Sequence, residues 1–80
     1  MIEIELRVFG ELRNYIEGLE LEGFQTLRCD DGSAVSDILR QLGIPETKVK
    51  IILVNGRAKG IDDELDDNDR LAIFPAVAGG

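Results

Sequence analysis

Ser33-Ala34-Val35-Ser36-Asp37-Ile38-Leu39-Arg40-Gln41-Leu42-Gly43 is the stretch on which the fold turns. Val35, Ile38, Leu39 and Leu42 recur at i, i+3, i+4 and i+7, which puts one apolar stripe along a helix. Ser33 has the character of an N-cap, since its hydroxyl can accept from an unpaired first-turn N–H. Gly43 ends the helix and Pro45 confirms the stop. The stripe needs a surface to bury it, and the flanking sequence must supply that surface.

Upstream, Leu19 to Cys29 reads as a strand interrupted near Glu22-Gly23, where glycine marks a bulge or a loop. Asp30-Asp31-Gly32 is a turn. Downstream, Ile51-Ile52-Leu53-Val54 is a short apolar run rich in β-branched residues, hence a strand. Asn55-Gly56 is a two-residue hairpin signal, with Arg57 to Lys59 as the return strand. Ile61 to Asp69 is an acidic turn region, and Leu65 is its inward anchor. Further out, Ile2, Ile4, Leu6 and Val8 alternate with Glu3, Glu5, Arg7 and Phe9, the period of a half-buried strand. Gly10 breaks it. Glu11 to Glu17 carries Leu12, Tyr15 and Ile16 at helical spacing, a short helix or helical turn stopped by Gly18. Arg70 to Pro75 alternates again, with Leu71 and Ile73 on one face and Ala72 and Phe74 on the other. The order is strand, turn, strand, helix, strand, short strand, strand. The expected fold class is α+β, one main helix packed on one face of a mixed sheet of four to five strands.

Eighty residues make one domain that buries only ~60–65% of its unfolded surface, enough for one core and too little for a deep cleft. With no histidine and one cysteine, a zinc site, a histidine base and a Cys-His pair are excluded. Cys29 falls in a strand-like run and reads as a small buried hydrophobe rather than a nucleophile. A net charge of −7 argues against nucleic acid or an anionic membrane as partner. It fits docking on basic protein surfaces, while a solvated acidic surface accounts for most of the carboxylates. Asp62 to Asp69 lacks the glycine and the closing glutamate of an EF-hand, so a turn is the better reading. The glycines at 32, 56 and 60 are isolated and form no phosphate loop. No apolar run reaches the length of a membrane span, and Met1-Ile2-Glu3-Ile4 has no signal-peptide character. The cytoplasm is the expected location.

Gly79-Gly80 closes the sequence after Ala76-Val77-Ala78. Two glycines make a thin peptide that fits where side chains would clash, and the five residues after Pro75 reach ~16–18 Å when extended. Such a segment can thread a channel and present its carboxylate to another protein. Frayed termini are also often glycine-containing, and a cloning remnant would look the same.

The whole chain resembles the β-grasp (ubiquitin-like) sulfur carriers, most of all the small, sulfur-carrying subunit of molybdopterin synthase. The resemblance rests on Phe9-Gly10-x-Leu12-Arg13, Ser33-x-Val35-x-Asp37-Ile38-Leu39, Val54-Asn55-Gly56 and Phe74-Pro75-Ala76-Val77-Ala78-Gly79-Gly80. Three departures stand out. Asn68 occupies a turn position where the family usually has glycine, Ala76 replaces a second proline, and Leu19 to Gly23 looks like extra or shifted material. Asparagine tolerates a left-handed turn better than other side chains.

The resemblance implies a β-grasp domain over residues 1–75 and a flexible tail over residues 76–80. It implies that the Gly80 carboxylate is adenylated by a partner that uses ATP, then converted to a thiocarboxylate. Gly79 and Val77 belong to the inserting tail. Contacts with partners are expected at Phe9, Arg13, Phe74, Pro75 and Val77. The expected partners are the molybdopterin synthase large subunit and an adenylating (E1-like) enzyme. The chain itself would be a carrier and not an enzyme, binding no cofactor or metal, with the catalytic residues on its partners. The residues leave open a carrier for another pathway (thiamine, tungsten cofactor or tRNA thiolation), a ubiquitin-like protein modifier, and a β-grasp interaction module that is not conjugated.

Strand parity adds one expectation. If Ile2, Ile4, Leu6 and Val8 face the helix, Phe9 has the opposite parity, and Phe74 is opposite to Leu71 and Ile73. First and last strands are parallel neighbours in a β-grasp sheet, so Phe9 and Phe74 should lie together on the outer face. Aliphatic side chains from Ile51 to Val54 should join them in an apolar patch. The alternative is that Phe74 covers the sheet edge or tucks under the loop holding Phe24.

Overall fold

The computed structural model describes residues 1–16 and 24–76, with Phe24 by its backbone alone. Five strands form one sheet: β1 (Ile2–Val8), β2 (Phe24–Cys29), β3 (Val49–Val54), β4 (Arg57–Ala58) and β5 (Arg70–Pro75). Their order across the sheet is β2-β1-β5-β3-β4. β1 runs parallel to β5, with Leu6 opposite Leu71 and Val8 opposite Ile73. β2 is antiparallel to β1, and β3 is antiparallel to both β4 and β5. The one α-helix among the described residues, α1 (Val35–Leu42), covers one face. This is the expected α+β arrangement of one main helix on a mixed sheet.

The alternating residues of the two central strands make the core. Ile4, Leu6 and Val8 of β1 and Leu71 and Ile73 of β5 meet Val35, Ile38 and Leu39 of α1, all essentially without solvent contact. Leu65 reaches the same core from the acidic turn region, as its position among polar neighbours predicts. Burying an aliphatic side chain of this kind contributes ~1.5–3 kcal/mol. Truncating Leu71 in the central strand also leaves a cavity. Leu71→Ala is therefore expected to cost ~2–5 kcal/mol, a large part of the ~5–15 kcal/mol typical of a domain. A fall in the urea midpoint at unchanged slope checks it, and an unmoved midpoint would show that the site collapses without cost.

The helix start differs from the sequence reading. The N-cap is Ala34 and not Ser33. The Ser33 hydroxyl turns back and donates to the Asp30 carbonyl at 2.7 Å, closing the turn that precedes the helix. Ala34 offers no side-chain acceptor, and other groups serve the helix end. The Asp37 carboxylate accepts the Ala34 N–H at 2.9 Å. The Val35 and Ser36 N–H groups donate to the Asp63 and Ile61 carbonyls at 3.0 and 2.8 Å. Backbone from the loop before β5 thus satisfies donors that a local cap would otherwise hold. At the other end Gly43 takes φ 76°, as the stop signal requires.

Other boundaries also shift. The short helix or helical turn expected after β1 is a 3-10 helix, Gly10–Tyr15; Leu12 is its one buried residue. A 3-10 turn at Glu46–Lys48 follows α1. β3 begins at Val49, two residues before the apolar run, and its register with β5 shifts between Val49 and Ile51. β4 is only two residues long, because two ladder pairs, Leu53 with Ala58 and Val54 with Arg57, are all that form. Asn55 and Gly56 both take positive φ, the conformation a tight hairpin needs, and Asn68 does so at φ 69°. The first part of the expected second strand, Leu19 to Gly23, lies outside the described residues, as do Glu17 and Gly18. Among the described residues no helix is long and apolar enough to cross a membrane.

The acidic turn region has a structural use. Asp67 accepts the Glu3 N–H at 2.8 Å and Asp63 accepts the Gly60 N–H at 2.7 Å. Asp69 accepts from the Asp66 N–H at 2.7 Å and from the Asn55 side-chain amide at 2.8 Å. These carboxylates cap turns and tie the loop to β1 and to the β3–β4 hairpin.

Candidate functional site

β1 ends at Val8 beside Ile73, and the Phe9 N–H still donates to the Ile73 carbonyl at 3.1 Å. Phe9 stays extended at φ −116° and ψ 156°. Its side chain therefore keeps strand parity and points away from α1. Phe74 follows Ile73 with the same outward parity. The two rings stack with centroids 4.3 Å apart and planes 5° from parallel. Phe9 remains 38% exposed.

β3 extends this face. Ile51 stands opposite Phe74 and Leu53 opposite Ala72 in the ladder, both with outward parity. Ile51 is 49% exposed, a high value for an isoleucine in a strand. Phe9, Phe74, Ile51, Leu53 and Ala72 thus form a contiguous apolar area on the sheet face opposite α1. The toward-β2 part of that face is charged. Glu5 pairs with Arg7 and Arg70, both at 3.4 Å, and Glu3 pairs with Arg28 at 3.5 Å. Such exposed pairs contribute ~0–1 kcal/mol each, so their main effect is to frame the apolar area with polar groups. Apolar patches rimmed in this way mark partner surfaces.

The root of the C-terminal segment borders the patch. Pro75 is the last residue of β5 and is paired with Val49. On its other side it lies against Gly10, where an added Cβ would be 2.8 Å from the Pro75 Cγ. Ala76 is exposed. Arg13 is exposed on the 3-10 helix that begins at Gly10. The structure therefore brings Phe9, Phe74 and Pro75 together and places Arg13 one element away. Val77, Gly79 and Gly80 lie outside the described residues. The sequence reading missed the Gly10–Pro75 contact. A glycine directly after the first strand, in parallel register with a proline ending the last, was the available signal.

Among the described residues no group of three or more acidic or thiol side chains is placed to hold a metal ion. Cys29 is buried beside Ser33 and the acidic turn. Burial pushes its thiol pKa up, Asp30 and Asp31 add to the rise, and a hydrogen bond with Ser33 opposes it. A thiol held protonated is a poor nucleophile. Cys29→Val adds a heavy atom to this packed site and is expected to cost ~1–3 kcal/mol of stability, read as a lower urea midpoint in a chain that still folds. An unmoved midpoint would show that the site has room for the extra methyl. A concavity of 570 Å³ between Met1 and α1 is an open dish lined by Arg28, Arg40, Asp30, Asp31 and Asp37. It lacks the apolar walls that enclose small ligands.

Comparison with known proteins follows the same line. The profile of the Mut7-C ubiquitin family matches residues 1–79. The chain belongs to the Mut7-C ubiquitin family. It is 35% identical to small archaeal modifier protein 3 of Haloferax volcanii over 98 aligned residues, covering 99% of this chain and all of that one. The solution structure of the HVO 2177 protein of the same organism is similar at TM-score 0.75 and 33% identity, covering 99% of this chain and 87% of the other. A putative molybdopterin converting factor subunit 1 from Pyrococcus furiosus matches at TM-score 0.72 and 23% identity, covering 96% and 100%. The last likeness is one of fold alone. The expected kinship with ubiquitin-like β-grasp proteins therefore holds for this Mut7-C ubiquitin chain, in sequence and in architecture.

Proposed function

We propose that this Mut7-C ubiquitin protein is a carrier whose Gly80 carboxylate is activated and loaded with sulfur by partner enzymes. The observation that carries the reading is the outward Phe9–Phe74 stack beside the root of residues 76–80. A docking face and the start of the C-terminal segment then sit side by side, and one partner can hold the first while acting on the residues that follow. The domain is residues 1–75 and the threading segment residues 76–80.

A carboxylate resists attack because its charge is delocalised. Reaction with ATP on an adenylating enzyme gives an acyl-adenylate at Gly80 and releases pyrophosphate. A sulfide-level donor then adds to the acyl carbon and expels AMP, leaving the thiocarboxylate. The large subunit of molybdopterin synthase is the proposed recipient, taking the sulfur onto a pterin precursor. Phe9, Phe74 and Ile51 would seat on these partners, with Arg13 and Pro75 at the margin and Val77 and Gly79 entering the channel.

The 35% identity to a small archaeal modifier protein favours a second reading, protein modification. The first step is the same. A lysine amine of another protein, instead of sulfide, then displaces AMP and forms an isopeptide. Intact mass of the protein from its native host separates the readings. Replacement of one oxygen by sulfur supports the carrier, adducts on lysines of other proteins support the modifier, and an unaltered terminus in all conditions overturns both.

A further inference from the structure

We infer that Gly10 is a positioning residue: with Phe9 it forms the seat on which Pro75 rests, and this seat sets the direction in which the chain leaves β5 at Ala76. The inference rests on the proposed carrier role and adds to it how the terminus is aimed.

Gly10, Gly32, Gly43 and Gly56 all have positive φ. At Gly32, Gly43 and Gly56 an added Cβ would meet nothing within 4 Å, so the backbone conformation alone accounts for glycine there. Gly10 differs. Its φ is +61°, and an added Cβ would fall 2.8 Å from the Pro75 Cγ and 3.3 Å from the Cδ. The first distance is closer than side chains tolerate, so glycine is needed for space as well as for conformation. The surroundings leave Pro75 little freedom to yield. Its ring fixes φ, its other flank pairs with Val49, and Phe74 before it is stacked on Phe9. The Phe9 N–H bond to the Ile73 carbonyl locks the turn to the strand. Pro75 is thus held on both sides one residue before the exposed Ala76. A segment that starts from a fixed base samples fewer directions than one that starts from a loose strand end, which raises the fraction aimed at a partner's active site. A Cβ at position 10 must push Pro75 away and re-aim everything beyond it.

The test uses the full chain with two variants at Gly10 and one matched control. Gly10→Ala adds the Cβ and also strains the backbone. Gly10→Asn adds the Cβ with less strain, since this chain already holds Asn55 and Asn68 at positive φ. Gly32→Ala carries the same kind of strain at φ +79° with no close neighbour. Residual dipolar couplings of the Ala76 N–H, read against those of the sheet, report the aim without any partner. They are expected to change in both Gly10 variants and to stay unchanged in Gly32→Ala. Adenylation of Gly80 by the adenylating enzyme of the source organism, with ATP, reports the consequence. The expected result is a fall in kcat of about tenfold or more in both Gly10 variants, with KM within about twofold because the docking face is kept. Wild-type couplings at Ala76 in Gly10→Asn overturn the inference, as does wild-type kcat in that variant or an equal loss in Gly32→Ala. A wild-type chain that the enzyme never adenylates defeats the carrier role instead, and the couplings still decide whether the seat exists.

Discussion

Removal of Gly80 is expected to abolish sulfur loading while leaving the thermal midpoint where it was. The buried core runs from Ile4 to Ile73, and the last strand ends at Pro75. Nothing that holds the domain together lies beyond that point in the described residues. The chemistry, on the proposed reading, lies wholly beyond it. Deleting Gly80 moves the reacting carboxylate back along the chain by ~3.3–3.6 Å. A displacement of ~1 Å at a reacting centre can already cost ~100-fold, so loading should drop below detection. Extending the chain by one residue past Gly80 should do the same. Intact mass after incubation with the adenylating enzyme, ATP and a sulfur donor measures loading, and a thermal melt measures the fold. Normal loading without Gly80 would remove the terminus from the mechanism.

Phe74→Glu should sever docking with little loss of fold. Phe74 is only partly buried, and its ring faces Phe9 on the open side of the sheet. Losing that stack costs the domain ~0.5–1.5 kcal/mol. The loss at an interface is larger. An aromatic anchor typically contributes ~2 kcal/mol or more, and a carboxylate in its place brings an unpaired charge into the contact. On the proposed reading, a weakening of ~30-fold or more in Kd for the molybdopterin synthase large subunit is the expected outcome. Ile51→Lys, on the neighbouring strand of the same face, should weaken binding in parallel. Calorimetric titration measures both. A Phe74→Glu chain that binds normally, or one that unfolds outright, would show that the ring is not a contact of this face.

Much of this was legible in the sequence because the signals were local. The period of two in Ile2 to Phe9 and in Arg70 to Pro75 fixes which side chains meet α1 and which look outward. Asn55-Gly56 fixes a hairpin, and Leu65 stands alone as an apolar residue in an acidic turn. What escaped depended on distant partners. Ser33 reads as a cap from its neighbours alone, yet the carbonyls of Ile61 and Asp63 arrive at α1 and free its hydroxyl for the preceding turn. β3 starts at Val49 because Pro75 is there to pair with it, and no pattern in residues 49–54 announces that. The Gly10–Pro75 contact joins positions far apart in sequence for the same reason. Choice of recipient is a further step removed, since the acids, bases and phosphate-binding groups would all sit on other proteins.

The parallel pairing of β1 with β5 has a consequence for biosynthesis. Residues 5–8 wait for residues 70–73 before the middle of the sheet can close. Closing a loop of that length costs entropy that no shorter-range contact returns. A nascent chain that has made β1, β2, α1 and β3 but not β5 exposes two unsatisfied strand edges, which invite aggregation or chaperones. The strand that cures this is the one that leads directly into residues 76–80. Completion of the sheet and synthesis of the segment after Pro75 are thus coupled by topology. On the proposed reading, an activating enzyme that engages this face would meet only chains that have finished folding, because Phe9 and Phe74 come together only then.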